Sequence, residues 1–429
     1  MSSSLSLNIA CHRSVFQALP YPQQAYLLIE AKPIAVEPAT GNSPVNLCLV
    51  LDRSGSMAGE KINRMRKAVK LIIDRLAPND RISVVVFDDC EPAETVISCT
   101  PVEYPDKLKR KIELIEERGG THLSSGLRLG LQQVRLGQRA DRISGILLLT
   151  DGQTWEDQQE CRDLADQCRR IGVPLYLLGL GLGDESNWDP RLLEELAERS
   201  GGEWMVIEAP EQCSEIFQKM LRAFQSVAAT NARLTLRLGQ GVSFRNVWRV
   251  SPLISRLDRQ EIAEHDVQVF LGDIQRGVGQ SILAELILPP RPPGTYRLGQ
   301  AEILFDAPGE QLINQKVSRD VIFAFSEDAA QADQVDQRMM NLIERVIAHK
   351  LQTQALDEAA LGEIVKATRR LRAVATRLLE MGESELAKEA ENQASEIEKS
   401  GKMGLASAQK MRYATKRLVD RENSVPHLT

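Results

Sequence analysis

The strongest constraint on this chain is a series of short, unbroken apolar runs separated by amphipathic stretches, between about residues 45 and 225. "VNLCLVLD", "RISVVVF", "SGILLLTDG" and "VPLYLLGLG" show no polar alternation. A strand is apolar on both faces only where both faces are covered, as in a parallel sheet flanked by helices. The intervening stretches are helical. Ile62, Met65, Val69, Ile72, Ile73 and Leu76 recur at helical spacing, and "APND" ends that helix. "DKLKRKIELIEERGG" reads as a helix that stops at glycine. "LSSGLRLGLQQVRLG" is another, and a further one runs from about Glu156 to Arg170. "WDPRLLEELAERSGG" has Asp189 as N-cap, Pro190 at the first helical position and Gly201 past the end. "AETVISC" alternates less cleanly and reads as an edge strand, while "EWMVIE" and "EQCSEIFQKMLRAF" close the block. The expected class is α/β, with a doubly wound, mostly parallel sheet.

The chain has 429 residues, too many for one ordinary core. From about 228 to 325 the pattern changes to short alternating strands separated by Gly and Pro, such as "ARLTLRLG" and "QSILAELILP", which predicts an antiparallel sandwich. The strands "SLSLNIAC" and "QAYLLIEAK" near the start are too few to fold alone. They are expected to pair with the later strands, so that the α/β unit is inserted into the β-sandwich. From about 330 the chain is helical, with amphipathic segments split near Gly382 and Gly401. The expected organisation is 1–44, N-terminal sandwich strands; 45–226, the α/β domain; 227–326, the rest of the sandwich; 327–421, the helical C-terminal region; and 422–429, a tail.

Composition removes several function classes. A net charge of −6 disfavours nucleic-acid and anionic-membrane roles. No apolar run reaches the roughly 20 residues of a membrane span, and "MSSSLSLNIACHRSV" lacks a secretory pattern. The seven cysteines have no CxxC spacing. Cys90 and Cys99 could face each other across a hairpin, but a reduced pair in a cytoplasmic setting is the expectation.

In an open α/β sheet, functional groups collect where strands end at their carboxyl edge. Asp52, Ser54 and Ser56 follow the first strand, Thr121 follows a double glycine before a helix, and Asp151 ends a later strand. Two carboxylates and three hydroxyls suit a hard divalent cation that takes six oxygens in octahedral order. The serine hydroxyls suit direct ligation, and Asp52 and Asp151 suit holding water and orienting them. Thr121 offers a fifth oxygen, directly or through water, and the vacant sixth position suits a carboxylate from another molecule. Gly55 is expected to allow the tight turn between the serines. The competing reading is helix capping, by Asp52 and the serines for the helix near Gly59 and by Thr121 for the helix near His122.

These positions resemble the metal-ion-dependent adhesion site (MIDAS) of the von Willebrand factor type A (vWA) domain, whose pattern is D-x-S-x-S, then a threonine, then an aspartate. "PNDRISVVVFDD", "GGTHLSSGL", "LLLTDG" and "LAERSGGEWMVI" resemble its strands and loops, over roughly residues 45 to 225. The flanking regions look like those of bacterial, cytoplasmic relatives. The resemblance implies a sheet of about six strands, Mg²⁺ or Mn²⁺ at Asp52, Ser54, Ser56, Thr121 and Asp151, and a binding function in which an acidic residue of a partner protein completes the metal shell. His122, Trp155 and Trp188 are candidates for the partner-binding rim. It also implies that ligand engagement can tilt the helix near Glu211 to Phe224, which leads back into the sandwich. Some relatives serve as regulatory subunits of AAA+ ATPases, an alternative for this chain. Neither serine sits in G-x-S-x-G, and no P-loop pattern occurs. A metal-dependent hydrolase is therefore the weaker alternative, and the chain is expected not to be an enzyme.

Overall fold

The computed structural model describes residues 4–34, 43–151, 156–180, 190–207, 212–400, 412, 415 and 416. The first strands are β1 (Leu5–Cys11), β2 (Val15–Gln17) and β3 (Gln23–Pro33). The α/β unit follows with β4 (Val45–Asp52), α1 (Glu60–Arg75), β5 (Arg81–Phe87), β6 (Glu94–Pro101), α2 (Pro105–Glu113) and α3 (Leu123–Gly137). It continues with β7 (Ile143–Thr150), α4 (Gln158–Arg170), β8 (Leu175–Leu180), α5 (Pro190–Ser200), β9 (Trp204–Ile207) and α6 (Cys213–Gln225). Its six-stranded sheet has the order β6-β5-β4-β7-β8-β9. β6 is an antiparallel edge, and every other pair is parallel.

The unbroken apolar runs have the predicted cause. Along β4, Leu47, Leu49 and Leu51 face a core shared with α1, α2 and α6, while Cys48 and Val50 face the core under α3, α4 and α5. Both faces are covered, so the strand is apolar apart from its terminal Asp52 and from Asn46, whose Nδ2 donates to Val134 O at 2.7 Å. The α2 helix ends at Glu113, well before the predicted glycine stop, and residues 118–122 form a loop.

After α6 a single residue separates the α/β unit from the next strand. Strands β10 (Val227–Leu238), β11 (Ser243–Ser251), β12 (Ser255–Arg256), β13 (Arg259–Ala263), β14 (Asp266–Gln275), β15 (Gln280–Leu288), β16 (Gly294–Ala307) and β17 (Leu312–Ser326) complete two sheets. Their orders are β1-β3-β15-β11-β12 and β13-β14-β10-β16-β17-β2. Each contains an N-terminal strand: β3 pairs antiparallel with β15 from Ala31↔Gln280 to Gln23↔Leu288, and β2 pairs parallel with β17. The α/β unit is therefore an insertion between strands of one sandwich, whose inner faces share one apolar core.

A short helix α7 (Ala329–Ala332) leads to α8 (Gln337–Ala360), α9 (Ile364–Glu380) and α10 (Ser384–Ser400). The break between α8 and α9 falls at Gly362, in the left-handed region at φ +79°, inside a stretch expected to be one helix. These helices pack Met339, Leu342, Ile343 and Val374 onto Leu28, Val250, Ile254 and Leu283, on the outer side of the β3 sheet. Among the described residues, no helix is long and apolar enough to cross a membrane. Cys90 and Cys99 are both free thiols.

Candidate metal centre

The sheet order places the centre. From β4 the chain moves outward to β5 and β6, then returns to the other side of β4 as β7. The carboxyl ends of β4 and β7 flank the crevice where the winding reverses, the general location of binding sites in such sheets. With Leu51 opposite Leu149, Asp52 and Thr150 end neighbouring strands. Thr150 Oγ1 donates to Asp52 Oδ2 at 2.6 Å, and Ser54 N donates to Asp52 Oδ1 at 2.8 Å. Asp52 is fully buried. Burial pushes its carboxyl up to about 6, and the hydrogen bonds from Thr150 and Ser54 limit the rise.

From Asp52 the contacts run outward. Ser54 Oγ lies 3.0 Å from Ser56 Oγ, and Ser56 Oγ donates to Asp151 Oδ1 at 2.7 Å. Asp151 Oδ2 accepts from Lys61 Nζ, on the first turn of α1. Ser54 is buried and Ser56 exposed, so the row of oxygens ends at solvent.

The fourth segment is held by backbone. Gly55 N donates to Gly119 O at 2.9 Å and Arg118 N to Arg53 O at 2.7 Å. A Cβ on Gly119, at φ +68°, would lie 2.0 Å from Asp89 Oδ1, so glycine permits that approach. Gly55 is not in the left-handed region, so the turn between the serines does not depend on glycine's freedom there. Thr121 lies half-buried in this loop, one residue before His122, whose N donates to Asp88 O at 2.9 Å. Asp88 ties the loops together. Its carboxylate accepts from Arg53 Nε at 2.8 Å, Arg118 Nε at 3.0 Å and Cys90 N at 2.7 Å. Burial would raise this carboxyl, but those donors outweigh it and hold it below the usual range.

Capping does not account for the motif. The N-cap of α1 is Gly59 and that of α3 is His122, neither with a side-chain cap hydrogen bond. The amide donor Ser54 N belongs to the loop, not to α1. At α3 the first-turn amide of Ser124 is taken by Asp157 Oδ2 at 2.5 Å. The His122 ring, a rim candidate, sits 3.1 Å from Glu91 Oε1 and 3.5 Å from Asp157 Oδ2. Trp155 and Trp188 lie outside the described residues.

The donor set fits a small hard cation on one measurable point. Octahedral ligands at 2.0–2.1 Å from an ion lie about 2.9 Å from their neighbours, and the Ser54 and Ser56 hydroxyl oxygens are 3.0 Å apart. The carboxylate oxygens of Asp52 and Asp151 are already engaged by protein donors, which suits holding the hydroxyls rather than leading the coordination. Sequence reasoning did not assign Thr150, Lys61 or Asp88 a part here. Thr150 sat beside a recognised ligand candidate, whereas Lys61 reaches Asp151 across 90 residues of sequence and left no local signal.

Two regions of the chain match described families. Residues 46–219 match the family described as von Willebrand factor type A domain. Residues 337–421 match the Sll0103-like, C-terminal alpha-helical domain. These two regions of the chain are thus similar to a vWA domain and to a helical domain of the second kind. It is 33% identical over 275 residues to the uncharacterized protein sll0103 of Synechocystis, covering 63% of this chain and 64% of that one. The chain spans between about 18% and 64% of the length of the curated relatives it matches here. Among solved structures, a von Willebrand factor type A protein from Catenulispora acidiphila aligns over 97% of both chains with TM-score 0.79 and 17% identity. The ArnB paralog VWA2 from Sulfolobus acidocaldarius aligns over 96% of this chain and 99% of its own, with TM-score 0.58 and 16% identity. At those identities the likeness is one of fold.

Proposed function

We propose that the carboxyl edge of this vWA domain is a MIDAS centre for Mg²⁺ or Mn²⁺, and that the protein is a non-enzymatic adaptor that binds an acidic residue of a partner protein there. Ser54 and Ser56 are the direct ligands, Thr121 contributes directly or through water, and Asp52 and Asp151 orient the serines. Proteins with vWA domains mediate metal-dependent protein–protein interaction, which supports the reading. The observation that carries it is the 3.0 Å separation of the serine hydroxyls, with Ser56 held by Asp151 and the Ser54 backbone held by Asp52. When bound, the ion supplies an electrophilic position for an incoming carboxylate. The residues do the rest: the Gly55–Gly119 contact holds the threonine loop against the serine loop, and exposed Ser56 leaves the approach open.

The test is affinity capture with full-length protein in Mg²⁺, wild type against Asp52→Ala, with partners identified by mass spectrometry. Partners should be retained by wild type, released by EDTA and absent from the variant. Retention unchanged in EDTA would falsify the metal-bridged reading. Recovery of a nucleotide-hydrolysing partner would place the adaptor in an ATPase assembly.

A further inference from the structure

Lys61 is in an unexpected place for its charge. It stands on the first turn of α1, where the helix dipole favours acids over bases. Its partner is buried Asp151, whose side chain is fully enclosed, while the Lys61 side chain is 38% exposed. Asp151 Oδ1 is engaged by Ser56, one of the proposed ligands. Lys61 therefore reaches in from solvent and neutralises a carboxylate of the centre from the side away from the serines.

We propose that Lys61 is a built-in competing cation that sets the metal affinity of the centre, a step that rests on the MIDAS reading above. Asp52 and Asp151 together offer two negative charges, and Lys61 cancels one. The centre therefore attracts a divalent ion weakly on its own and leaves that ion with more positive charge to share with an incoming carboxylate. The ammonium holds Asp151 in position when no ion is bound.

Removing a unit charge one carboxylate away from the ion is worth about tenfold in affinity. The experiment is calorimetric titration of chelator-stripped full-length protein with Mn²⁺, for wild type, Lys61→Met, Lys61→Arg and Ser54→Ala. Melting temperatures are recorded for each with and without metal. Lys61→Met should bind Mn²⁺ about tenfold more tightly, and its metal-free form should melt lower than wild type. Lys61→Arg, which keeps the charge, should match wild type. Equal or weaker Mn²⁺ binding by Lys61→Met, with wild-type binding present and lost in Ser54→Ala, overturns this inference alone. Absence of Mn²⁺ binding by wild type, or its retention in Ser54→Ala, overturns the MIDAS reading and the inference with it. Should Lys61→Met fail to fold, Lys61→Gln gives the same comparison.

Discussion

The two ends of the inserted sheet treat buried charge in opposite ways. At the carboxyl edge of β4 and β7, both oxygens of Asp52 are engaged by Thr150 and Ser54, and both oxygens of Asp151 by Ser56 and Lys61. At the amino edge, where β8 and β9 begin and the sandwich docks, Tyr176, Glu203, Arg249, Asp273, Gln275 and Gln280 line a cavity of about 20 Å³. That is room for one water molecule. Here Asp273 Oδ2 and Gln280 Oε1 find no hydrogen-bond partner among the described residues. Burial, reinforced by the charge of Glu203, pushes the Asp273 carboxyl up to about 8, against a lowering hydrogen bond from Tyr176. Burial therefore penalises negative charge less at the edge where an ion from outside could complete it than where two domains meet.

The comparison predicts that damage at one edge stays there. The largest effect belongs to the junction. The Arg249 side chain is half-buried at the domain junction, its Nε donates to Ser255 Oγ at 3.2 Å, and it feels the charge of Glu203. Arg249→Met loses that bond and that charge and should cost about 3 kcal/mol in urea unfolding, the upper end for a hydrogen bond of a charged group. Mn²⁺ affinity should change less than about twofold, since the cation lies at the other end of the strands. The next effect belongs to the carboxyl edge: Ser54→Ala should reduce Mn²⁺ affinity by more than about a hundredfold, exceeding the usual loss of an orienting partner, while the unfolding midpoint moves little. A metal defect in Arg249→Met would erase the distinction between the edges.

Which of these features the sequence disclosed follows from how each is encoded. The α/β class was legible because a strand covered on both faces is apolar along most of its length, as β4 and β7 are apart from Asn46, Ser144 and the terminal Asp52 and Thr150. The D-x-S-x-S motif was legible because its residues are neighbours in one loop, and Asp151 because it ends a strand. Lys61 and Thr150 were not, because their contacts join residues 90 and 98 apart and depend on β4 lying beside β7. The junction was wholly hidden. Tyr176, Glu203, Arg249 and Asp273 lie in or beside ordinary strands of two domains, and each alone reads as a surface or core residue. Only the docking of the sandwich against β8 and β9 makes them a cluster. The α8–α9 break was missed for a smaller reason: Gly362 sits amid residues of high helix propensity, and its left-handed φ is what ends the helix.

The pH dependence sharpens the comparison further. Folding raises the Asp273 pKa, so the native state holds a proton that the unfolded chain releases between the ordinary carboxylate value and about 8. The resulting stability is fully present below about pH 4 and is lost as pH rises through about 8. Asp273→Asn, which resembles the protonated acid at every pH, should match wild type near pH 4. By pH 8.5 it should exceed wild type by about 2 kcal/mol, discounting an ideal value for water entering the cavity. Urea midpoints across that range measure the gap. A gap that does not change with pH would mean that Asp273 is ionised in the native state, and the contrast with Asp52 would fail.

The smallest expected effect tests how tightly each edge is packed. A Cβ added at Gly202, two residues before β9, would meet the backbone oxygen of Leu175 at 2.0 Å, so the amino edge has no space for a methyl group. A Cβ at Gly55, between the two serines, would meet only Gly119 O, at an ordinary contact distance of 3.4 Å. Its backbone is outside the left-handed region. Gly55→Ala restricts the unfolded chain without straining the folded one and should change stability by no more than about 1 kcal/mol, in the stabilising direction. It should leave the Gly55 N–Gly119 O bond and the Mn²⁺ affinity intact. A loss of Mn²⁺ binding in Gly55→Ala at unchanged stability would show that the serine loop must move as the ion enters, and the carboxyl edge would then be the adjustable end of the sheet rather than a preformed one.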